Sequence, residues 1–106
     1  MIVVMTTVSK MEDAESLARL LAAKKLAACV SIIHIEKSIC LRKQKLEEAE
    51  EFMLIVKTRK GLWEKVRRAI EENHPYEMPG IIAIPAERVS PEYKAWAEKC
   101  TSRAET

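Results

Sequence analysis

The side chains best suited to chemistry lie close together in one short stretch, residues 73–80. It contains His74, Tyr76 and Glu77 together with two prolines. An imidazole and a carboxylate three residues apart suit copper(II) or zinc. A tight metal site needs three or four ligands, so two ligands from one chain predict a weak or shared site. We interpret His74 and Glu77 as candidate metal ligands. The alternative for His74 is a structural role at the end of a helix.

Two further side chains are weaker candidate ligands. Cys40 is followed closely by Arg42 and Lys43, and basic neighbours are typical of reactive cysteines. Packing at a subunit interface is the alternative for Cys40. His34 could join Cys40 at a metal ion, whereas a hydrogen-bonded strand histidine is the alternative.

Lys57, Arg59 and Tyr76 could line a cleft that binds a small anion. His74, Tyr76 and Glu77 could also serve as acid and base groups. However, the sequence contains no nucleophile elbow, P-loop or dinucleotide fingerprint. We therefore predict a protein that is not an enzyme and that requires no cofactor.

Composition narrows the class of protein. The chain has 106 residues, of which 48 % are apolar and 32 % charged, which predicts a single folded domain over residues 1–106. A net charge of +2, spread along the chain with few aromatic residues, argues against nucleic acid as a partner. No apolar run approaches a membrane span. The start of the sequence lacks the basic leader of a signal peptide. The three cysteines show no Cys-x-x-Cys spacing, and we interpret them as reduced thiols. We therefore expect a cytoplasmic protein.

Hydrophobic periodicity predicts the elements that position these residues. Strands are expected over residues 2–8, over 26–35 with a continuation to 41, over 52–56 and over 81–85. Ser9 and Glu12 form a capping box for a first helix, and residues 61–73 form a second helix. The charged stretch 42–51 fits either a helix or a hairpin with cross-strand ion pairs.

The end of the chain reads as a third helix and a tail. Ser90-Pro91 suits a helix start, and four residues share its apolar face, namely Tyr93, Trp96, Ala97 and Cys100. The tail, residues 101–106, is polar and is expected to fray. The resulting order, β-α-β-β-α-β plus a helix, predicts an α+β fold of the ferredoxin-like type.

The second and third strands are long for a domain of this size. A strand over residues 26–41 would span roughly 50 Å at about 3.3 Å per residue, whereas a compact domain of this length has a radius of gyration of about 13 Å. The long hairpin must therefore bend or project and expose its edges. A symmetric oligomer would cover those edges.

Several blocks of sequence resemble the CutA family of divalent-cation tolerance proteins, from about Thr6 to Trp96. The main blocks are Leu26-Ala27-Ala28-Cys29-Val30-Ser31-Ile32-Ile33, Lys45-Leu46-Glu47-Glu48, His74-Pro75-Tyr76-Glu77-Met78-Pro79 and Tyr93-x-x-Trp96. The resemblance implies a ferredoxin-like homotrimer whose long hairpins pair between subunits, similar in fold to PII signalling proteins. It also implies a role in tolerance of copper and other divalent cations.

The chain departs from the family pattern in places that bear on function. Family members usually carry Pro-Gly where His34-Ile35 stands, a change expected to straighten the second strand. Aromatic residues usual at the hairpin tip are replaced here by residues 40–44. The leading hypothesis is a homotrimer that binds divalent metal, such as copper(II), for sequestration or sensing. The alternative is a PII-like signalling or scaffold trimer that binds a small anion or a partner protein between subunits.

Overall fold

The structure, a computed structural model, describes residues 1–104. In chain order its elements are β1 (Ile2–Val8), α1 (Met11–Ala23), β2 (Cys29–Arg42), β3 (Lys45–Thr58), a 3₁₀ turn (Lys60–Leu62), α2 (Trp63–Asn73), β4 (Ile82–Pro85) and α3 (Pro91–Cys100). This order confirms the predicted pattern of strands and helices. Within the described residues, no helix combines the length and apolarity that crossing a membrane requires.

The four strands form one antiparallel sheet in the order β2-β3-β1-β4. β1 pairs with β3 from Ile2, opposite Thr58, to Val8, opposite Phe52, and its other edge pairs with β4. α1 therefore joins two strands that have β3 inserted between them, and α2 joins two strands that have β1 between them. This is the ferredoxin-like split β-α-β arrangement that the sequence predicts.

The core lies between the sheet and helices α1 and α2. Every second residue of β1, from Ile2 to Val8, is buried and packs with helix residues such as Leu21 and Ile70. Because side chains alternate across a strand, the residues in between point to the opposite surface, which we call the open sheet face. By register and alternation its apolar residues include Val3, Met5, Ile33, Ile35, Met53, Ile55, Ile82 and Ile84.

The charged stretch 42–51 belongs to a hairpin, which settles the choice that the sequence left open. Lys43 and Gln44 alone connect β2 to β3, and their φ angles are 51° and 65°. Positive φ at both residues is typical of the two-residue turn whose twist matches that of the paired strands. Arg42 and Glu47 form one of the predicted cross-strand ion pairs, at 3.8 Å.

The hairpin contains a β-bulge. Ile35 lies opposite Glu51, whereas Ser38 lies opposite Ala49, so β2 has one residue more than β3 between these pairs. An extra residue bends the strand and increases its twist. The expectation that His34-Ile35 straightens β2 is therefore wrong.

The two predicted helix caps differ from the structure. α1 starts one residue later than the capping box requires, because the Ala14 N–H donates to the Lys10 carbonyl at 3.1 Å. Lys10 therefore occupies the N-cap position, and the Ser9 hydroxyl makes no cap bond. At α3, Ser90 does occupy the N-cap position, but its hydroxyl forms no cap bond either.

The second strand begins at Cys29 rather than at Leu26. Leu26 instead closes α1, since its N–H donates to the Leu21 carbonyl at 2.9 Å. The Leu26 carbonyl then accepts a bond of 2.6 Å from the buried hydroxyl of Thr58, at the end of β3. This single side-chain bond ties the α1–β2 connection to the centre of the sheet.

α3 and the residue after it correct two expectations. Ala97 is fully buried, but Trp96, predicted on the same apolar face, is 46 % exposed. Thr101 is fully buried and accepts two bonds from the Arg59 guanidinium, at 2.9 Å on Oγ1 and 3.0 Å on the carbonyl. The predicted fraying is therefore wrong at Thr101. For residues 105–106 that prediction lies outside the described residues.

Two buried threonines offer a matched test of hydrogen bonding in the core. In the described part of the chain, the Thr6 hydroxyl is the one buried side-chain polar atom without a partner, whereas the Thr58 hydroxyl is bonded. We expect Thr58→Val to lower the free energy of unfolding by about 1–3 kcal/mol, because it leaves a buried carbonyl unpaired. Thr6→Val should be neutral or stabilising. Guanidinium unfolding of both variants checks this, and equal losses would contradict it.

Candidate functional site

Residues 74–80, which we call the corner, follow α2 and make up most of its connection to β4. α2 ends at Asn73, and His74 is extended, with φ −86° and ψ 138°. Pro75 explains this geometry, because a residue before proline disfavours the helical region. The Asn73 side-chain amide closes the last turn by donating to the Ala69 carbonyl at 2.8 Å. The sequence prediction that His74 terminates the helix is therefore confirmed.

The His74 imidazole joins the corner to the sheet. Its Nε2 lies 2.9 Å from the Thr7 carbonyl at the end of β1. Its Nδ1 lies 3.1 Å from the backbone N–H of Tyr76. The two rings also meet edge to face, with centroids 4.8 Å apart. The imidazole thus uses both nitrogens and one edge within its own chain.

The partners of His74 fix its tautomer. Burial lowers the pKa of His74 below its ordinary value of 6.5, against smaller opposite effects of the Thr7 carbonyl and Asp13. The ring is therefore neutral near neutral pH, with one N–H and one lone pair. Nε2 donates to the Thr7 carbonyl, so Nδ1 accepts from the Tyr76 N–H. The geometry leaves no free lone pair on His74 and does not support its prediction as a metal ligand.

Tyr76 connects the corner to the base of the hairpin. Its hydroxyl donates to Oε2 of Glu51 at 3.2 Å, and Glu51 is almost fully buried. Burial and the nearby Glu51 carboxylate raise the pKa of Tyr76, against smaller opposite effects of Ser9 and Arg42. The hydroxyl therefore stays protonated and can hold the carboxylate. Sequence reasoning placed Glu51 in the charged stretch 42–51 and did not predict its burial.

The corner and the hairpin tip enclose one open cleft, with a volume of about 590 Å³. We call it the corner cleft. Its lining residues are Thr7, Cys40, Leu41, Arg42, Glu51, Tyr76, Glu77, Met78 and Gly80. A thiol, a thioether and two carboxylates thus face one space. Of the predicted ligands, the cleft brings Glu77 and Cys40 together and leaves both histidines out.

His34 makes other contacts. Its Nε2 lies 2.6 Å from Oε2 of Glu50, and its ring stacks on Phe52 with centroids 5.0 Å apart. Cys40 lies six residues further along β2, which is about 20 Å at the rise of a strand. His34 and Cys40 therefore cannot share a metal ion within one chain, and the alternative of a bonded strand histidine describes His34.

The predicted anion-binding residues are dispersed and engaged. Arg59 donates to Thr101 at the end of α3. The Lys57 ammonium lies 5.8 Å from the centroid of the Tyr93 ring, within the range of a cation–π contact. Tyr76 is bonded to Glu51 in the corner cleft. These three side chains do not form a common anion site in the chain.

Glu51 and Met78 are the site residues that sequence reasoning missed. Glu51 lies in β3 between the charged residues near the hairpin tip and the buried end of the strand. Its burial follows from contact with Tyr76, which is 25 residues away in the sequence. No local pattern signals such a contact. Met78 is exposed in the corner, and its place between two prolines could have indicated that it does not belong to the core.

The neutral state of His74 generates a prediction about pH. Its pKa is lower in the folded chain than in the unfolded chain, so the unfolded chain binds more protons between the two values. This contribution to stability is present above about 6.5 and is lost as pH falls through the folded pKa. We expect unfolding midpoints to decrease from about pH 7.5 to about pH 5.

A non-titrating variant isolates this effect. His74→Gln should show a smaller decrease over the same range, and His34→Gln controls for removing one histidine. If the slope is unchanged in His74→Gln, the pH dependence belongs to other groups and the prediction fails. Urea unfolding at fixed ionic strength measures all three proteins.

Comparison with known proteins identifies relatives of this chain. Residues 2–100 match the family described as CutA1 divalent ion tolerance protein. The chain is 43 % identical over 93 residues to the divalent-cation tolerance protein CutA of Archaeoglobus fulgidus, covering 88 % of this chain and 90 % of that one. It is 36 % identical over 96 residues to the CutA protein of Pyrococcus horikoshii, covering 91 % and 93 %.

A solved structure agrees with these relationships. The CutA structure from Archaeoglobus fulgidus, described as a periplasmic divalent cation tolerance protein, matches with a TM-score of 0.91 at 40 % identity, covering 95 % of this chain and 99 % of that one. Fold, sequence blocks and relatives lead to the same result: the chain belongs to the CutA1 family of divalent-ion tolerance proteins.

Proposed function

We propose that this protein serves divalent-cation tolerance by binding copper(II) or a similar ion weakly in the corner cleft, for sequestration or for response to the metal. The observation that carries the proposal is the donor set of that cleft, namely Cys40, Glu51, Glu77 and Met78. The relatives named divalent-cation tolerance proteins support the same class of ligand.

The donors differ in chemical character. The carboxylates of Glu51 and Glu77 offer oxygen ligands to divalent ions, whereas Cys40 and Met78 offer sulfur, which suits copper and zinc. Glu77 is exposed and makes no ion pair within the described residues, so it is available. His74 acts on this set as a positioning residue, because it fixes the start of the corner from which Glu77 extends.

One chain does not complete the site. Among residues 1–104, no three side chains of the His, Cys, Asp and Glu types stand close enough to hold one ion together. A structural metal site takes about four ligands. We therefore propose that binding is weak in a single chain and that a neighbouring copy adds ligands where the hairpins meet.

The proposed assembly is a homotrimer, as the resemblance to CutA implies. The hairpin tip carries exposed apolar side chains, at 62 % for Ile39, 70 % for Leu41 and 76 % for Leu46. The open sheet face adds Ile82 and Ile84, which are also exposed. Exposed apolar surface of this kind is typical of an interface, and pairing between copies would cover the free edge of β2.

We further propose that the protein binds metal without catalysis and acts in a reducing compartment such as the cytoplasm. The candidate base, His74, has its only lone pair engaged by the Tyr76 N–H, and Cys29, Cys40 and Cys100 are free thiols. Because the Archaeoglobus fulgidus relative is described as periplasmic, cell fractionation is the measurement that decides the compartment.

The alternative function is a signalling trimer that binds an anion in clefts between subunits. It has less support, because two of its predicted anion-binding residues already have partners within the chain. Arg59 is committed to Thr101 and Lys57 to Tyr93. These contacts would have to break before either side chain could bind an anion.

Titration calorimetry tests the metal site. We expect copper(II), and zinc as a metal that thiols do not reduce, to bind saturably to the metal-free protein. Glu77→Gln should weaken binding by about tenfold or more, since even indirect partners of metal ligands contribute roughly tenfold to a hundredfold. Cys40→Ser should weaken binding as well.

A matched variant controls for loss of one negative charge. Glu87 is also exposed but lies outside the corner cleft, so Glu87→Gln should leave the affinity nearly unchanged. The proposed site is refuted if Glu77→Gln and Glu87→Gln behave alike. If His74→Gln abolishes binding while Glu77→Gln keeps it, the roles of the two residues are reversed.

Sedimentation at micromolar concentration tests the assembly. We expect a mass of three chains of 12.1 kDa each. Ile82→Lys places a charge on the open sheet face and should dissociate the trimer, because an unpaired charge is costly to bury. Met11→Lys, at an exposed position on α1, should leave the trimer intact. A wild-type protein that sediments as a single chain would refute the proposed assembly.

A further inference from the structure

A second cleft lies beside α3, away from the corner and the hairpin tip. It is lined by Lys25, Trp96, Lys99, Cys100, Ser102 and Arg103, and its volume is about 640 Å³. Binding sites for small molecules commonly enclose about 300–1,000 Å³. None of its lining residues contributes to the corner cleft, so the proposed metal site does not explain it. We call it the α3 cleft.

The α3 cleft presents an exposed indole on a firm support. Trp96 is 46 % exposed, although a tryptophan on a small domain is more often covered. Tyr93 packs against it, with ring centroids 5.5 Å apart and planes inclined by 37°. The next residue, Ala97, is fully buried and anchors this part of the helix. The indole is thus held in place and still offers a flat apolar surface.

The charge around the indole has one sign. Lys25, Lys99 and Arg103 line the cleft, and among residues 1–104 no carboxylate does, although the whole chain has 16 acidic residues against 18 basic ones. Within the described residues, none of the three cations takes part in an ion pair. Lysine and arginine favour phosphate groups as partners. An aromatic surface flanked by free cations suits a flat ring that carries negative charge.

A basic cavity between α1 and α2 lacks these properties. Lys24, Lys65 and Arg68 line a cavity of only about 50 Å³ between α1 and α2, and Glu72 lines it as well. It has no aromatic residue and is large enough only for water or a small ion. The combination of an indole, unpaired cations and sufficient volume therefore distinguishes the α3 cleft.

We propose that the α3 cleft binds a nucleoside phosphate. The base stacks on Trp96, and the phosphates pair with Lys25, Lys99 and Arg103. This inference concerns residues outside the corner cleft and does not depend on metal binding there. A metal-free protein that binds a nucleotide would support it whether or not the metal site exists.

Calorimetry with three probes tests the ligand class. ATP, adenosine and inorganic tripolyphosphate are titrated separately into the full-length protein in the presence of a chelator. We expect ATP to bind saturably and at least about fivefold more tightly than tripolyphosphate, because stacking adds roughly 1–3 kcal/mol per base. ATP should also bind more tightly than adenosine, because adenosine lacks the phosphates that pair with the cations. Equal affinity for tripolyphosphate would overturn the proposal, since charge alone would then account for binding. Absence of saturable ATP binding would overturn it too, including the case in which subunit contacts cover Trp96.

Paired variants locate the site. Trp96→Phe should retain most of the preference for ATP over tripolyphosphate, whereas Trp96→Ala should abolish it. Lys99→Glu should weaken ATP binding by about tenfold, since pairing with phosphate becomes repulsion. Lys94→Glu makes the same charge change on the same helix outside the cleft, and equal weakening in both would overturn the assignment. Circular dichroism confirms that each variant is folded. A single-stranded oligonucleotide that binds more tightly than ATP would overturn the assignment to a free nucleotide.

Discussion

The neutral imidazole of His74 is the interaction on which the functional end of this molecule depends. It accepts from the corner through Nδ1 and donates to the end of β1 through Nε2. With the corner fixed to the sheet in this way, Tyr76 reaches the Glu51 carboxylate, and Glu77 and Met78 are placed at the mouth of the corner cleft. Protonation of the ring would remove its only acceptor nitrogen. The bond from the Tyr76 N–H to Nδ1 would then be lost, and the contacts that depend on it would weaken.

Several polar side chains that the sequence suggests as ligand-binding groups instead make contacts that stabilise the fold. Arg59 satisfies the end of α3 through Thr101, Lys57 lies over Tyr93, and His34 pairs with Glu50. Each of these side chains has the right type for binding a ligand, but each already has a partner. Residue type therefore indicates what chemistry is possible, and only the contacts show which groups remain free for it.

The sequence predicted the fold closely because the fold depends on patterns that are local. The short β-branched apolar run over residues 2–8 and the helical spacing in α1 and α2 are short-range signals, and proline fixed the end of α2 at Asn73. The ends of the elements were predicted less accurately. For α1, the predicted cap residue Ser9 lies one residue before the N-cap residue of the structure, Lys10.

The candidate site could be predicted only in part. Glu77 and Cys40 share a cleft, but the burial of Glu51 depends on a distant residue, and the choice between helix and hairpin for residues 42–51 depended on pairing.

The β-bulge in β2 determines which side chains of this strand share a sheet face with Glu51. From Cys29 to Ile35, the odd-numbered residues of β2 share a face with the odd-numbered residues of β3, whereas after Ser38 the even-numbered ones do. The extra residue therefore shifts the phase of the strand and brings Cys40 to the same side as Glu51. Without it, strict alternation would place Ile39 and Leu41 on the side of Glu51, and Cys40 on the other side. One residue of insertion thus decides whether a thiol or an aliphatic side chain of this hairpin shares a sheet face with Glu51.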